Sequence, residues 1–179
     1  MMRLARALPV VLMALGLGAC EQGETPAPEI GAETAGVESV ESAGDQCQPQ
    51  AVDAPAVVQL AEGLSSRTLT QGCGETAAPG QTVVVHYTGW LFDEAVENKR
   101  GKQFDSSRDR DKRFSFPLGA GRVIQGWDQG VAGMAIGEVR ELTIAPEMAY
   151  GDRGAGGVIP PGSALIFEVE LFNLVGKPK

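Results

Sequence analysis

All ten aromatic residues of this 179-residue chain lie between Tyr87 and Phe172. Aromatic side chains carry the largest apolar areas a small domain can bury, so the hydrophobic core must form in the C-terminal part. The preceding segment has no comparable means. From Glu21 to about Val52 it runs through Glu, Ala, Gly, Pro, Ser and Thr without an aromatic. Such a stretch buries too little apolar surface to offset its own ordering entropy. The length suits one ordinary domain. The predicted organisation is a leader over 1–19, an acidic low-complexity tether over 20–63, and one folded domain over 64–179.

The charge follows the same division. Between Cys20 and Gly63 there are nine acids and no Lys or Arg, whereas Leu64 to Lys179 holds 14 acids and 13 bases. The formal charge of -8 thus belongs to the tether. This distribution argues against nucleic acid as a partner, since phosphate binding needs a basic face.

The first residues read as an export signal. Arg3 and Arg6 precede an apolar run, Leu8 to Leu17, which is too short to span a bilayer. The run ends in Leu17-Gly18-Ala19-Cys20. Small residues before a cysteine resemble a bacterial lipobox, in which Cys20 is lipidated and begins the mature chain. A plain signal peptide is the simpler alternative. The lipobox reading implies a chain anchored in the bacterial cell envelope, facing the periplasm, with the inner or outer membrane left open. Export would also place Cys47 and Cys73 where disulfides persist. The two form either one bridge or two free thiols.

Within the domain, strands dominate. Leu64 to Thr70 and the β-branched run Thr82 to Trp90 read as strands, with Val83, Val85 and Tyr87 on one face. Asp93 to Gln103 is polar and reads as a loop. Arg113 to Leu118 contains Pro117 and reads as an edge strand. Ile124 to Met134 fits a short helix with Trp127, Val131 and Met134 on one stripe, ended by Gly137. Val139 to Ile144 and Ala164 to Leu174 complete the strands, separated by a Gly/Pro-rich loop. The fold class is α+β, an antiparallel sheet with one short helix.

Most catalytic chemistry is missing. The chain has one histidine, His86, inside a strand, where a structural role is the commoner one. No second histidine exists for a metal site, and no nucleophile elbow, phosphate loop or dinucleotide fingerprint is present. No metal or cofactor is expected. A reaction that suits such a chain is rotation about an Xaa-Pro bond, which breaks no covalent bond. Its barrier of roughly 18–20 kcal/mol is lost amide resonance. An apolar, aromatic-walled pocket that favours the twisted amide lowers it.

Six segments are decisive: Val85-His-Tyr-Thr-Gly89, Phe104-Asp-Ser-Ser-Arg-Asp-Arg110, Val123-Ile-Gln-Gly-Trp127, Ala149-Tyr-Gly151, Ile159-Pro-Pro-Gly162 and Leu165-Ile-Phe-Glu-Val-Glu-Leu171. In this order and spacing they resemble the FKBP family of peptidyl-prolyl cis/trans isomerases, over roughly Leu64 to Val175. The resemblance implies a twisted antiparallel sheet wrapped around a short helix, with the pocket between them. It implies Trp127 as the pocket floor and Tyr87, Phe114, Phe167, Val123 and Ile124 as walls. Phe104 would line the pocket, and Asp105 would sit at its edge, oriented by Arg110 and poised to interact with the substrate carbonyl carbon or to fix its neighbours; Asp105, Tyr150 and Phe104 are the implied catalytic residues. Tyr150 would offer a hydroxyl, and Ile159 a backbone N–H beside the proline.

The chain departs from the family in three places. Ala155-Gly156-Gly157 stands where many members have His-Pro-Gly. Arg122 replaces an acid before Val123-Ile124, and the loop after Trp90 is longer than in minimal members. The implied partners are proline-containing unfolded or exported polypeptides and macrolide inhibitors. The Gly/Pro-dotted tether lacks apolar helical periodicity, so a monomer is expected. The competing reading is a non-catalytic chaperone or interaction module that retains the fold.

Overall fold

The computed structural model describes residues 48–178. The leader, Cys20, Cys47 and most of the expected tether lie outside the described residues. Eight strands form one antiparallel sheet: β1 (Gln50–Ala51), β2 (Val57–Ala61), β3 (Leu64–Gln71), β4 (Thr82–Phe92), β5 (Arg100–Ser106), β6 (Phe114–Pro117), β7 (Val139–Ile144) and β8 (Leu165–Val175). The path is β1-β3-β7-β8-β4-β5, with β2 beside β3 and β6 beside β4. Among the described residues a single α-helix, α1 (Gln125–Gly130), packs on the sheet.

The longest ladder joins β4 to β8, from Thr82↔Val175 to Leu91↔Leu165, with a bulge between Val84 and Val85. Alternation sets which side chains turn inward: Val83, Val85 and Tyr87 of β4 meet Leu165, Phe167, Val169 and Leu171 of β8 in one buried cluster. Trp127, Val131 and Met134, the expected helical stripe, join the same cluster. Each large apolar side chain buried there contributes roughly 1.5–3 kcal/mol before entropy is counted.

Three boundaries differ from expectation. The ordered domain begins before Leu64, because β1 and β2 both pair with β3. Their sequences carry little core, and Val57, Val58 and Leu60 stay exposed. The strands exist because β3 offers an open edge. The expected loop 93–103 closes early, because Arg100 to Ser106 pairs with β4 as β5. Its sequence lacks alternation, and an existing neighbour supplies the ladder. Arg100 adds a second tie, stacking over Trp90 at 4.5 Å and pairing with Glu141 and Glu168. Helix α1 is also shorter than the periodicity predicts. It stops at Gly130, and Gly133 adopts φ +75°, a left-handed conformation that ends helical progress.

Glycine is required in α1 for a second reason. A Cβ at Gly126 would lie 2.5 Å from Ile144 Cγ2, and one at Gly130 would lie 2.7 Å from Leu142 Cδ1. The two glycines let the helix settle directly on β7. Beyond the helix, Cys73 is disulfide-bonded, and Cys47, the other member of the possible bridge, lies outside the described residues.

Candidate active site

The site sits where α1, the inner face of β4 and β8, and the loop after β7 converge. Trp127 is 4% exposed and forms its base. Three rings stand edge-on to it: Tyr87 of β4 at 5.1 Å, Phe167 of β8 at 5.3 Å and Phe114 of β6 at 6.0 Å between centroids. Phe104 of β5 packs edge-on to Phe167 at 5.5 Å. Such edge-to-face arrangements suit aromatic quadrupoles and hold the rings in fixed orientations. Gly89 makes the last contact possible, since a Cβ there would lie 2.7 Å from Phe104 and 2.8 Å from Phe167. Val123 and Ile124, just before α1, complete a cavity of about 210 Å³.

One edge of this apolar box is polar. The Tyr87 hydroxyl donates to Asp105 Oδ2, and Arg110 Nη1 donates to Asp105 Oδ1. Arg110 Nη2 closes the triangle by donating to the Tyr87 hydroxyl oxygen at 3.1 Å. Both carboxylate oxygens are therefore engaged, and the group is held rigidly at the cavity edge. Partial burial pushes the Asp105 carboxyl up. Hydrogen bonds from Arg110 and Tyr87, with the charge of Arg110, outweigh that and hold it below its ordinary value. Burial, then the hydrogen bond and charge of Asp105, push the Tyr87 hydroxyl up to about 12. Burial and the nearby Asp105 charge also push Tyr150 up. The Tyr150 side chain lines the cavity, and its hydroxyl has no hydrogen-bond partner among the described residues.

Nine of the predicted residues thus line one cavity: Tyr87, Phe104, Asp105, Phe114, Val123, Ile124, Trp127, Tyr150 and Phe167. Arg110 does not line it but braces Asp105 and Tyr87 from outside. Ile159 departs from expectation. It is buried in the core, and its N–H donates to Ala155 O at 3.0 Å while Ala155 N donates back to Ile159 O. This small closed loop, turned by Gly156 and Gly157 at positive φ, consumes the donor that the sequence reading assigned to the proline site. Several backbone N–H groups at the cavity have no acceptor among the described residues: those of Arg122 and Val123 and, next to the helix, that of Ile124. Its position at the start of a helix without a side-chain cap is the sequence signal for it. His86 is structural: Nδ1 lies 2.9 Å from Ser107 Oγ, and the ring meets Phe172 edge-on.

The arrangement is an apolar aromatic box with fixed donors at its rim and no nucleophile or proton relay. The family model for FKBP-type peptidyl-prolyl cis-trans isomerase matches residues 73–172. The chain belongs to that family. It is 51% identical over 116 residues to FK506-binding protein 2B of Rhizopus delemar, covering 65% of this chain and 53% of that protein. It is 50% identical over 112 residues to the FK506-binding protein of Neisseria meningitidis serogroup B, covering 63% of this chain and 96% of that one. Peptidyl-prolyl cis-trans isomerase FPR2 of Saccharomyces cerevisiae is 49% identical over 112 residues, 63% of this chain and 78% of that one. Among solved structures, FkpA from Escherichia coli superposes with a TM-score of 0.59 at 38% identity, covering 68% of this chain and 53% of that chain. The chain therefore spans about half the length of the Rhizopus protein and of FkpA, and most of the Neisseria protein. The FKBP fold predicted from the six segments is the fold observed, with the sheet folded around α1.

Proposed function

We propose that this FKBP-family chain accelerates cis/trans isomerisation of Xaa-Pro bonds in exported polypeptides. The observation that carries this reading is the enclosure of Trp127 by Tyr87, Phe167 and Phe114 beside a carboxylate that is locked in place. A proline ring fits against the indole, and the walls take the neighbouring amide out of water. The twisted amide, with its resonance lost, is less dipolar than the planar one and loses less by desolvation. The Ile124 N–H and the Tyr150 hydroxyl are donors available to a substrate carbonyl. Asp105 acts as a positioning residue, since both its oxygens are occupied. The same apolar box suits macrolide inhibitors. Uncatalysed isomerisation takes tens of seconds, slow enough to limit folding, so a catalyst outside the cytoplasm has clear use.

The location is inferred from the leader: a periplasm-facing monomer, lipid-anchored through Cys20 in the bacterial envelope. Mass spectrometry of membrane-extracted protein should find a lipidated Cys20 at the mature N-terminus, and Cys20→Ser should release the chain. Light scattering should give a monomer mass. For the activity, NMR exchange spectroscopy on short Xaa-Pro peptides with the full-length chain should show cis/trans exchange well above background. Folded protein with no rate gain would leave only the non-catalytic binding module.

The pH dependence follows from the rim. Asp105 titrates below its ordinary range, and Tyr87 and Tyr150 above theirs. None of the three changes charge in between, so kcat/KM should stay flat between about pH 5 and 9. The depressed Asp105 value has a fixed sign in stability: its contribution is present above the unfolded carboxylate value and fades as pH falls through the folded one. A bell-shaped profile centred near neutrality would mean that a different group takes part.

A further inference from the structure

We propose that Arg122 selects substrates carrying an acidic side chain next to the proline. This rests on the isomerase reading of the same pocket and names the substrate class. Arg122 lines two adjoining concavities. One is the cavity of about 210 Å³ over Trp127, and the other is a wider hollow of about 560 Å³ that also takes in Gln125 and Glu147. Arg122, Val123, Ile124 and Tyr150 are common to both, so a polypeptide seated on Trp127 and continuing into the hollow passes over Arg122.

The charge of Arg122 is uncompensated. Arg67, Arg100, Arg108, Arg110 and Arg140 each pair with a carboxylate, whereas Arg122 makes no ion pair or hydrogen bond among the described residues. The other charges facing the mouth do not cancel it. Asp105 is already held by Arg110 and Tyr87. Glu147 is exposed and lines the outer hollow but not the cavity over Trp127. The unpaired charge common to the cavity and the hollow is therefore a cation. An exposed pair of this kind is worth about a two- to fivefold preference.

The test uses the full-length chain and two capped peptide series, acetyl-Ala-Xaa-Pro-Phe-amide and acetyl-Ala-Pro-Xaa-Phe-amide, with Glu, Gln or Lys as the variable residue. NMR exchange gives the catalysed rate at low salt, and calorimetry gives Kd. In at least one series Glu should exceed Lys by about two- to fivefold in kcat/KM and in affinity, and salt should shrink the ratio. Arg122→Gln should bring that ratio to about one, and Arg122→Glu should invert it. An unchanged ratio in Arg122→Glu, or a native preference for Lys in both series, would overturn the proposal. Absence of exchange with every peptide would instead overturn the isomerase reading, and the Glu-to-Lys affinity ratio would then decide the role of Arg122 by itself.

Discussion

Trp127→Ala should abolish most activity and remove a large share of the stability of the domain. The indole is 4% exposed and touches four other rings, Tyr87, Phe114, Phe116 and Phe167. Truncating a buried tryptophan costs about 3–5 kcal/mol through lost transfer energy and the remaining cavity. That is a large part of the roughly 5–15 kcal/mol a native domain possesses. The surface under the proline disappears at the same time. A loss on the order of 100-fold in kcat/KM corresponds to about 2.7 kcal/mol of transition-state binding, within the range of one well-packed apolar contact. Trp127→Phe separates the two effects. The Trp127 Nε1–H is buried with no partner among the described residues, a cost of about 1–3 kcal/mol. Phenylalanine removes that orphan donor while keeping an aromatic floor. Urea denaturation should show a much smaller loss for Trp127→Phe than for Trp127→Ala, with macrolide binding weakened rather than lost. Equal destabilisation by both variants would show that the shape of the indole, rather than a ring at this position, matters.

Glu138→Ala should be nearly as damaging, although the residue never touches the cavity. Glu138 is 2% exposed and accepts from Arg140 Nε at 2.7 Å, Ala135 N at 3.0 Å and Thr68 Oγ1 at 3.2 Å. Arg140 in turn donates to Gly130 O at 2.9 Å, satisfying a carbonyl at the C-terminal end of α1. This clamp secures the helix that carries Trp127. Deleting one partner of a buried, hydrogen-bonded pair leaves the other charge uncompensated and costs about 3–5 kcal/mol. The midpoint in urea should fall accordingly. Glu138→Gln keeps one acceptor oxygen, enough for Arg140 and Thr68 or for Ala135 but not for both sides, and should lose less. Fluorescence of Trp127 should report a loosened helix in Glu138→Ala before global unfolding. A midpoint unchanged from native would show that Arg140 finds another acceptor.

Much of the site was legible in the chain because its residues belong to short contiguous segments. Tyr87 and Gly89, Phe104 and Asp105, Val123 to Trp127, and Phe167 each lie within one segment, and the period of two in β4 and β8 assigns their inward face. What failed were statements about backbone hydrogen bonding. The Ile159 N–H is taken by Ala155, and the Ile124 N–H is among those left open at the cavity. No residue type signals whether its amide is engaged, because every non-proline residue has one. Arg100 to Ser106 read as loop for a related reason: its strand character comes from β4, which is remote in sequence.

The sequence by itself determined where the core could form, which side chains face it along β4 and β8, and which aromatic and polar residues were available to a pocket. These follow from local periodicity and from composition, which do not depend on what packs against them. Only the tertiary structure decided that α1 stops about one turn short of the end of its apolar stripe, that β1 and β2 extend the sheet beyond Leu64, and that Arg110 braces Asp105 and Tyr87 together. It also left Arg122 without a counterion at the mouth of the cavity. Each depends on partners brought close by long-range pairing, and local sequence carries no record of such partners.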